Sequence, residues 1–221
     1  MSFLVQQIID FGVSEGTLSL ILMVPVVASF IAFSRQIIGI RGLGIYITLI
    51  IAYAFVATRL KYGLVIFLVV IITGSIVRLL FKKIRLLYLP RMAMILIAVA
   101  FAIFLMFLLG SYFNIEGLQI ISIFPILIMV LIVERFVTIQ IERGQKMAIF
   151  FTLETLLLAI VAYHIINWSW LQQVLLEYPL WSFLILFCFN FLLGKWTGLR
   201  LTEYFRFKEL VQYLEAPKSK D

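Results

Sequence analysis

The sequence predicts an all-α, polytopic membrane protein with seven transmembrane helices, its N-terminus outside and its C-terminus inside. Three observations carry this. The chain of 221 residues is 64% hydrophobic and only 13% charged, with a mean hydropathy of +1.16, against the roughly 45–50% apolar content of water-soluble domains. Seven apolar windows lie between its charges, each near the roughly 17–25 residues that a helix needs to cross a bilayer core about 30 Å thick. Its basic residues are also distributed asymmetrically between the two sets of loops.

The windows are Gly16–Ser34, Gly42–Thr58, Tyr62–Val77, Met92–Ile115, Gly117–Val133, Met147–Trp170 and Tyr178–Gly194. The shorter ones rely on flanking Arg and Lys side chains that extend toward the interface. With the N-terminus outside, the inner loops and tail hold all the Lys and Arg residues except Arg59 and Lys61. Retention of basic loops on the cytoplasmic side selects that orientation. The net charge of +7 follows from the same rule, so no nucleic-acid partner is needed to explain it. The basic inner face attracts anionic lipid. The single cysteine, Cys188, forms no intrachain disulfide, and the first 16 residues lack the Lys or Arg of a cleavable signal.

Three regions follow. Residues 1–16 form an amphipathic segment on the outer surface, with Phe3, Leu4, Ile8, Ile9 and Phe11 alternating with Gln6, Gln7 and Asp10. Residues 17–200 form the seven-helix domain. Residues 201–221 form a cytoplasmic interfacial helix and tail, ended by Pro217. The ATRLK stretch fits a tight hairpin between the second and third spans. Tyr112, Trp168, Trp170, Tyr178 and Trp181 are placed as an interfacial belt.

An internal repeat runs through the chain. Pro25 and Arg35 recur as Pro125 and Arg135, shifted by 100 positions; Ala52-Tyr53 recurs as Ala162-Tyr163, shifted by 110; Tyr62, Leu64, Phe67 and Leu68 recur as Tyr178, Leu180, Phe183 and Leu184, shifted by 116. The pattern is three helices, a connector and three helices. Four crossings separate equivalent helices, so the repeat is parallel.

Glu154 in FTLETLLL is the only acid inside a span. Intramembrane ionisable groups mark function by default, and a buried carboxylate must pair or protonate. A structural anchor paired to Arg35 or Arg135 is an equally weighted alternative. The expected polar cluster is Arg35, Glu134, Arg135, Glu154 and Asn190, with Ser29, Thr73 and Ser75 as helix-joining polar residues. No metal site, cofactor loop or catalytic motif is present in the sequence: no HExxH, no paired intramembrane aspartates and no second His beside His164. The chain is therefore read as no enzyme, with no cofactor.

The blocks AFSRQIIGIRG, RLLYLPRMA, FPILIMVLIVERF and GKWTGLRLTEYFRF resemble, in order, the bacterial seven-transmembrane domain usually fused behind an inactive transglutaminase-like domain. That domain is similar to the membrane component of poly-γ-glutamate capsule synthase, and the resemblance covers residues 22–207. It implies a non-catalytic component, scaffold or conduit, of a system that makes or exports a peptide or poly-amino acid at the bacterial cytoplasmic membrane. The implied partner is an ATP-grasp peptide ligase, with an anionic peptide product and self-association as further expectations. In such a complex Arg41, Arg85, Tyr88, Arg91, Arg143, Arg200 and Tyr204 are the candidate docking residues on the inner face. A small-solute transporter centred on Glu154 is the alternative. Family members carry an extracytoplasmic domain ahead of the first span, an arrangement that the N-out orientation matches.

Overall fold

The computed structural model describes residues 3–81, 84, 87–114 and 122–195. Among them the chain is helical without strands: α1 Phe3–Asp10, α2 Glu15–Phe33, a π-helical turn Ser34–Ile38, α3 Ile45–Thr58, α4 Leu60–Phe81, α5 Tyr88–Tyr112, α6 Ile123–Glu142, α7 Gln145–Ile166, α8 Ser169–Glu177 and α9 Pro179–Gly194. Five segments are long and apolar enough to cross a membrane, and a sixth is counted if the bent pair α8–α9 is one span. Helix α3, with 14 residues, measures about 21 Å, short of the roughly 30 Å core.

Several span boundaries are corrected. Helix α4 continues past Val77 to Phe81 and so takes in Arg78, while α6 continues past Val133 to Glu142 and carries Glu134 and Arg135 within its helix. A charged residue ends an apolar window but not a helix, because the backbone bonds continue wherever the side chain finds a partner or solvent. The sixth window does not reach Trp170. Helix α7 stops at Ile166, and Trp170 belongs to α8, which meets α9 at 107°. The start of the fifth window (117–121) and the interfacial tail helix (201–214) lie outside the described residues.

The chain divides into two compact units, residues 1–41 with 170–221, and residues 42–169. In the first, Val5 of α1 is buried against Leu18, Leu22 and Met23 of α2 and against Leu175 and Leu176 of α8. The amphipathic N-terminal segment is therefore helical as expected, but one turn of it is anchored in a core. Phe11 just beyond it is almost fully exposed. Helices α2 and α9 pack together. There Asn190 Nδ2 donates to Ser29 Oγ at 2.6 Å, Ser29 Oγ donates to the Pro25 carbonyl at 2.7 Å, and the Phe33 and Phe189 rings lie 6.1 Å apart.

In the second unit α4 packs on α3, α5 and α6, and α7 packs on α3 and α6. The α3–α4 hairpin turns through Arg59, whose φ is +61°. The Phe55 and Phe67 rings meet edge to face at 6.4 Å. Gly63 allows the close approach: a Cβ there would stand 2.6 Å from both the Phe55 ring and Thr58 Oγ1.

The helix pairings agree with the repeat. Equating α2 with α6, α3 with α7 and α4 with α9 turns the α2–α9 pair of the first unit into the α6–α4 pair of the second, and both pairs exist. The α3–α7 pair maps onto itself and brings Ala52 and Ala162, both fully buried, onto packed helices. Even the place of contact agrees. A Cβ on Gly74 of α4 would meet Val133 of α6 at 3.0 Å; shifts of 116 and 100 positions convert these residues to Asn190 and Phe33, where α9 and α2 meet. Local geometry differs, since Pro125 sits in the first turn of α6 whereas Pro25 is mid-helix and its copy ends in the π turn.

Replacing Gly63 by Ala is expected to lower the thermal unfolding midpoint of the detergent-solubilised protein, by an amount that corresponds to about 1–3 kcal/mol of overpacking. Thermal scans of wild type and Gly63→Ala check this, and an unchanged midpoint would refute the tight hairpin.

Candidate functional site

The most specific polar arrangement in the second unit joins the segment before α3 to the middle of α7. Backbone amides ahead of a helix have no intrahelical acceptor, and in an apolar setting each unmet donor is costly. The chain meets this need with two consecutive residues of α7. Gly42 N–H donates to Glu154 Oε2 at 2.8 Å, and Leu43 N–H donates to Thr155 Oγ1 at 2.7 Å. Thr155 Oγ1 in turn donates its own proton to the Phe151 carbonyl at 2.7 Å, so the hydroxyl is used on both sides.

Gly42 is required twice over. Its φ is +48°, in the left-handed region, and a Cβ would sit 3.1 Å from Thr155 Oγ1. Leu43 is 3% exposed and Thr155 is fully buried, so the second bond is shielded from water. Glu154 is half-buried, and a carboxylate acceptor makes the Gly42 bond charge-assisted. Through this bond Glu154 holds the Gly42 loop against α7.

The other residues of the expected cluster are distributed as follows. Glu134 and Arg135 are exposed on α6, and Glu134 Oε1 accepts from Tyr88 Oη of α5 at 3.3 Å. Asn190 serves the α2–α9 contact in the first unit through Ser29 and also donates to the Leu186 carbonyl at 2.8 Å. Arg35 sits half-buried in the π turn.

Among the candidate docking residues, Arg143 follows α6 and lies over the Phe151 ring at 5.5 Å, a cation–π contact. Arg41 is exposed and Arg91 is half-buried in the first turn of α5. Arg85, Arg200 and Tyr204 lie outside the described residues.

A second polar group joins α4 to α6. Arg78 Nη2 donates to the Gln140 carbonyl at 2.7 Å, and Gln140 Nε2 donates to Ser75 Oγ at 3.1 Å. The carbonyl belongs to the last turn of α6, where no intrahelical donor follows, so Arg78 acts as a side-chain cap. Gln140 is fully buried. Sequence reasoning selected Ser75 but missed Gln140 and Arg78, because both fell outside the windows cut at charges.

Among the described residues no group of three His, Cys, Asp or Glu side chains is placed to hold a metal. What fold and site define together is a multi-pass, all-α membrane protein whose polar residues bind helices and loops to one another. The chain belongs to the family of seven transmembrane helices usually fused to an inactive transglutaminase, whose model matches residues 3–211. Neither the curated proteins nor the solved structures contain a match to the chain.

Thr155→Val removes the acceptor of the buried Leu43 amide and is expected to destabilise the protein by about 1–3 kcal/mol. Glu154→Ala is expected to cost more than Glu154→Gln, which keeps an acceptor oxygen for Gly42. Unfolding midpoints of the three variants in one detergent test the ranking, and equal midpoints for Ala and Gln at position 154 would refute the Gly42 bond.

Proposed function

We propose that this protein is a non-catalytic membrane component, scaffold or conduit, of an ATP-grasp-dependent system that makes or exports a peptide or poly-amino acid of the poly-γ-glutamate type. Its place is the bacterial cytoplasmic membrane. The observation that carries the reading is the family match along residues 3–211, to a membrane domain whose usual fusion partner is itself inactive. The link to a ligase rests on the resemblance of that membrane domain to the membrane component of poly-γ-glutamate synthase.

Surface chemistry is compatible with docking. Glu134, Arg135, Arg143 and Lys146 are exposed around the end of α6 and the start of α7, a mixed-charge surface suited to a polar, water-soluble partner. The transporter alternative draws less support, because the carboxylate on which it depends is engaged by a loop amide.

Affinity capture of the full chain from mild detergent is expected to co-purify an ATP-grasp ligase, identified by mass spectrometry. Charge reversal at Arg143 and Lys146 is expected to reduce that recovery severalfold. Capture that recovers no such ligase, from a host encoding one beside this gene, would contradict the reading. Flux in proteoliposomes that is lost in Glu154→Gln would favour the transporter instead.

A further inference from the structure

The contact between α4 and α6 contains one polar group that these helices leave unmet. Gln140, in the last turn of α6, is fully buried, and α4 holds it at two points. Its backbone carbonyl accepts from Arg78 Nη2 at 2.7 Å, and its side-chain Nε2 donates to Ser75 Oγ at 3.1 Å. Ser75 and Arg78 are three residues apart on α4 and so share one face of it. The two bonds therefore close a ring across the helix pair, with the Gln140 side chain as one of its sides.

The remaining atom of that side chain, Oε1, is buried and has no hydrogen-bond partner among the described residues. A buried amide oxygen left in that state costs stability, and native structures meet such groups with a side chain or an ordered water. Turning the amide over does not remove the need. Ser75 would then donate to the oxygen, and Nε2 would become the unmet group.

The chemistry of an occupant is narrow. It must donate to an amide oxygen, which a bare anion cannot do. It must also stand beside a guanidinium that is always charged, which repels a cation. A neutral molecule that both donates and accepts meets the two demands, and it must be small, because the ring spans a single turn of α4. Water has this chemistry and is held in protein interiors by about three polar partners. Arg78 can be one of them, since its guanidinium carries further N–H donors besides the one on the Gln140 carbonyl.

We propose that a water molecule is an integral part of the α4–α6 contact, donating to Gln140 Oε1 and accepting from the Arg78 guanidinium. The site belongs to one copy of the repeat only. Shifts of 100 and 116 positions convert Gln140, Ser75 and Arg78 to Ile40, Phe191 and Gly194, none of which has a polar side chain. The α9–α2 contact is joined instead by the direct bond from Asn190 to Ser29. Equivalent helix pairs are thus joined directly in one copy and through bound water in the other. The site requires neither ligase docking nor transport.

Solid-state NMR of the full wild-type chain in lipid bilayers tests the site by timing magnetisation transfer from water to side-chain amides. Transfer to the Gln140 amide is expected to be severalfold faster than to the Asn190 amide, whose Nδ2 donates to Ser29 and to the Leu186 carbonyl. Transfer to Gln140 as slow as to Asn190 would overturn the proposal. A second measurement reads the sign of a stability change. In a Ser75→Ala background, where the Nε2 bond is already absent, Gln140→Met replaces the amide by a side chain of similar volume. Loss of a water-bonded amide lowers the thermal unfolding midpoint, by about 2–4 °C, whereas removal of a dry, unmet oxygen raises it. A raised or unchanged midpoint would overturn the proposal, and if the double variant does not fold, the wild-type NMR measurement decides alone.

Discussion

A buried backbone N–H must find a partner inside the protein, and before α3 two side chains of α7 supply it. Helix α3 is too short to cross the core by itself, so the chain approaching it carries non-helical backbone. Two amides, at Gly42 and Leu43, are given to Glu154 and Thr155. Once that loop is fixed, α3 is positioned on α7, and the α3–α4 hairpin with Gly63 at its contact follows from it. The only acid inside an apolar window thereby acquires a physical purpose that needs no substrate.

The same logic recurs at several polar residues that interrupt an apolar stretch. Arg78 supplies the donor that the last turn of α6 lacks, Thr58 and Thr152 return their hydroxyls to carbonyls four residues back, and Asn190 ties α9 to α2. Those that cross between helices, at Arg78 and Asn190, are each worth on the order of 0.6 kcal/mol, up to about 1.7, in membrane interiors, and help to fix which helices pair. The positions equivalent to Gly74 and Val133 are Asn190 and Phe33, and both lie in the α9–α2 contact, Asn190 bonding Ser29 and Phe33 meeting Phe189. A small residue is used in one copy and a hydrogen-bonding one in the other.

Much of the fold was legible in the sequence, because a bilayer imposes length and hydropathy directly on the chain. What was not legible was where helices end. Charges at Arg78 and at Glu134 and Arg135 looked like loop residues, yet a guanidinium that caps a carbonyl and side chains on an exposed face leave the helix intact. Helix α8 was hidden because Gln172 and Gln173 dilute its apolar face, and its apolar residues Leu175 and Leu176 are recognisable as core only once α1 and α2 are seen packed on them. The candidate site was half legible. Glu154 stood out as the lone acid in an apolar run, but its bond to the Gly42 amide did not, since no residue type advertises a backbone N–H. The glycine at 42 and the threonine beside Glu154 held the signal for that contact.

The segment before α3 is a fixed element bound to α7 by two backbone amides. Amide hydrogen exchange of the detergent-solubilised protein, followed at Gly42 and Leu43, tests it most directly. Both amides are expected to exchange as slowly as those inside α7, with the Leu43 amide released in a Thr155→Val variant. Exchange of both amides at the rate of an open loop in the wild-type protein would contradict it.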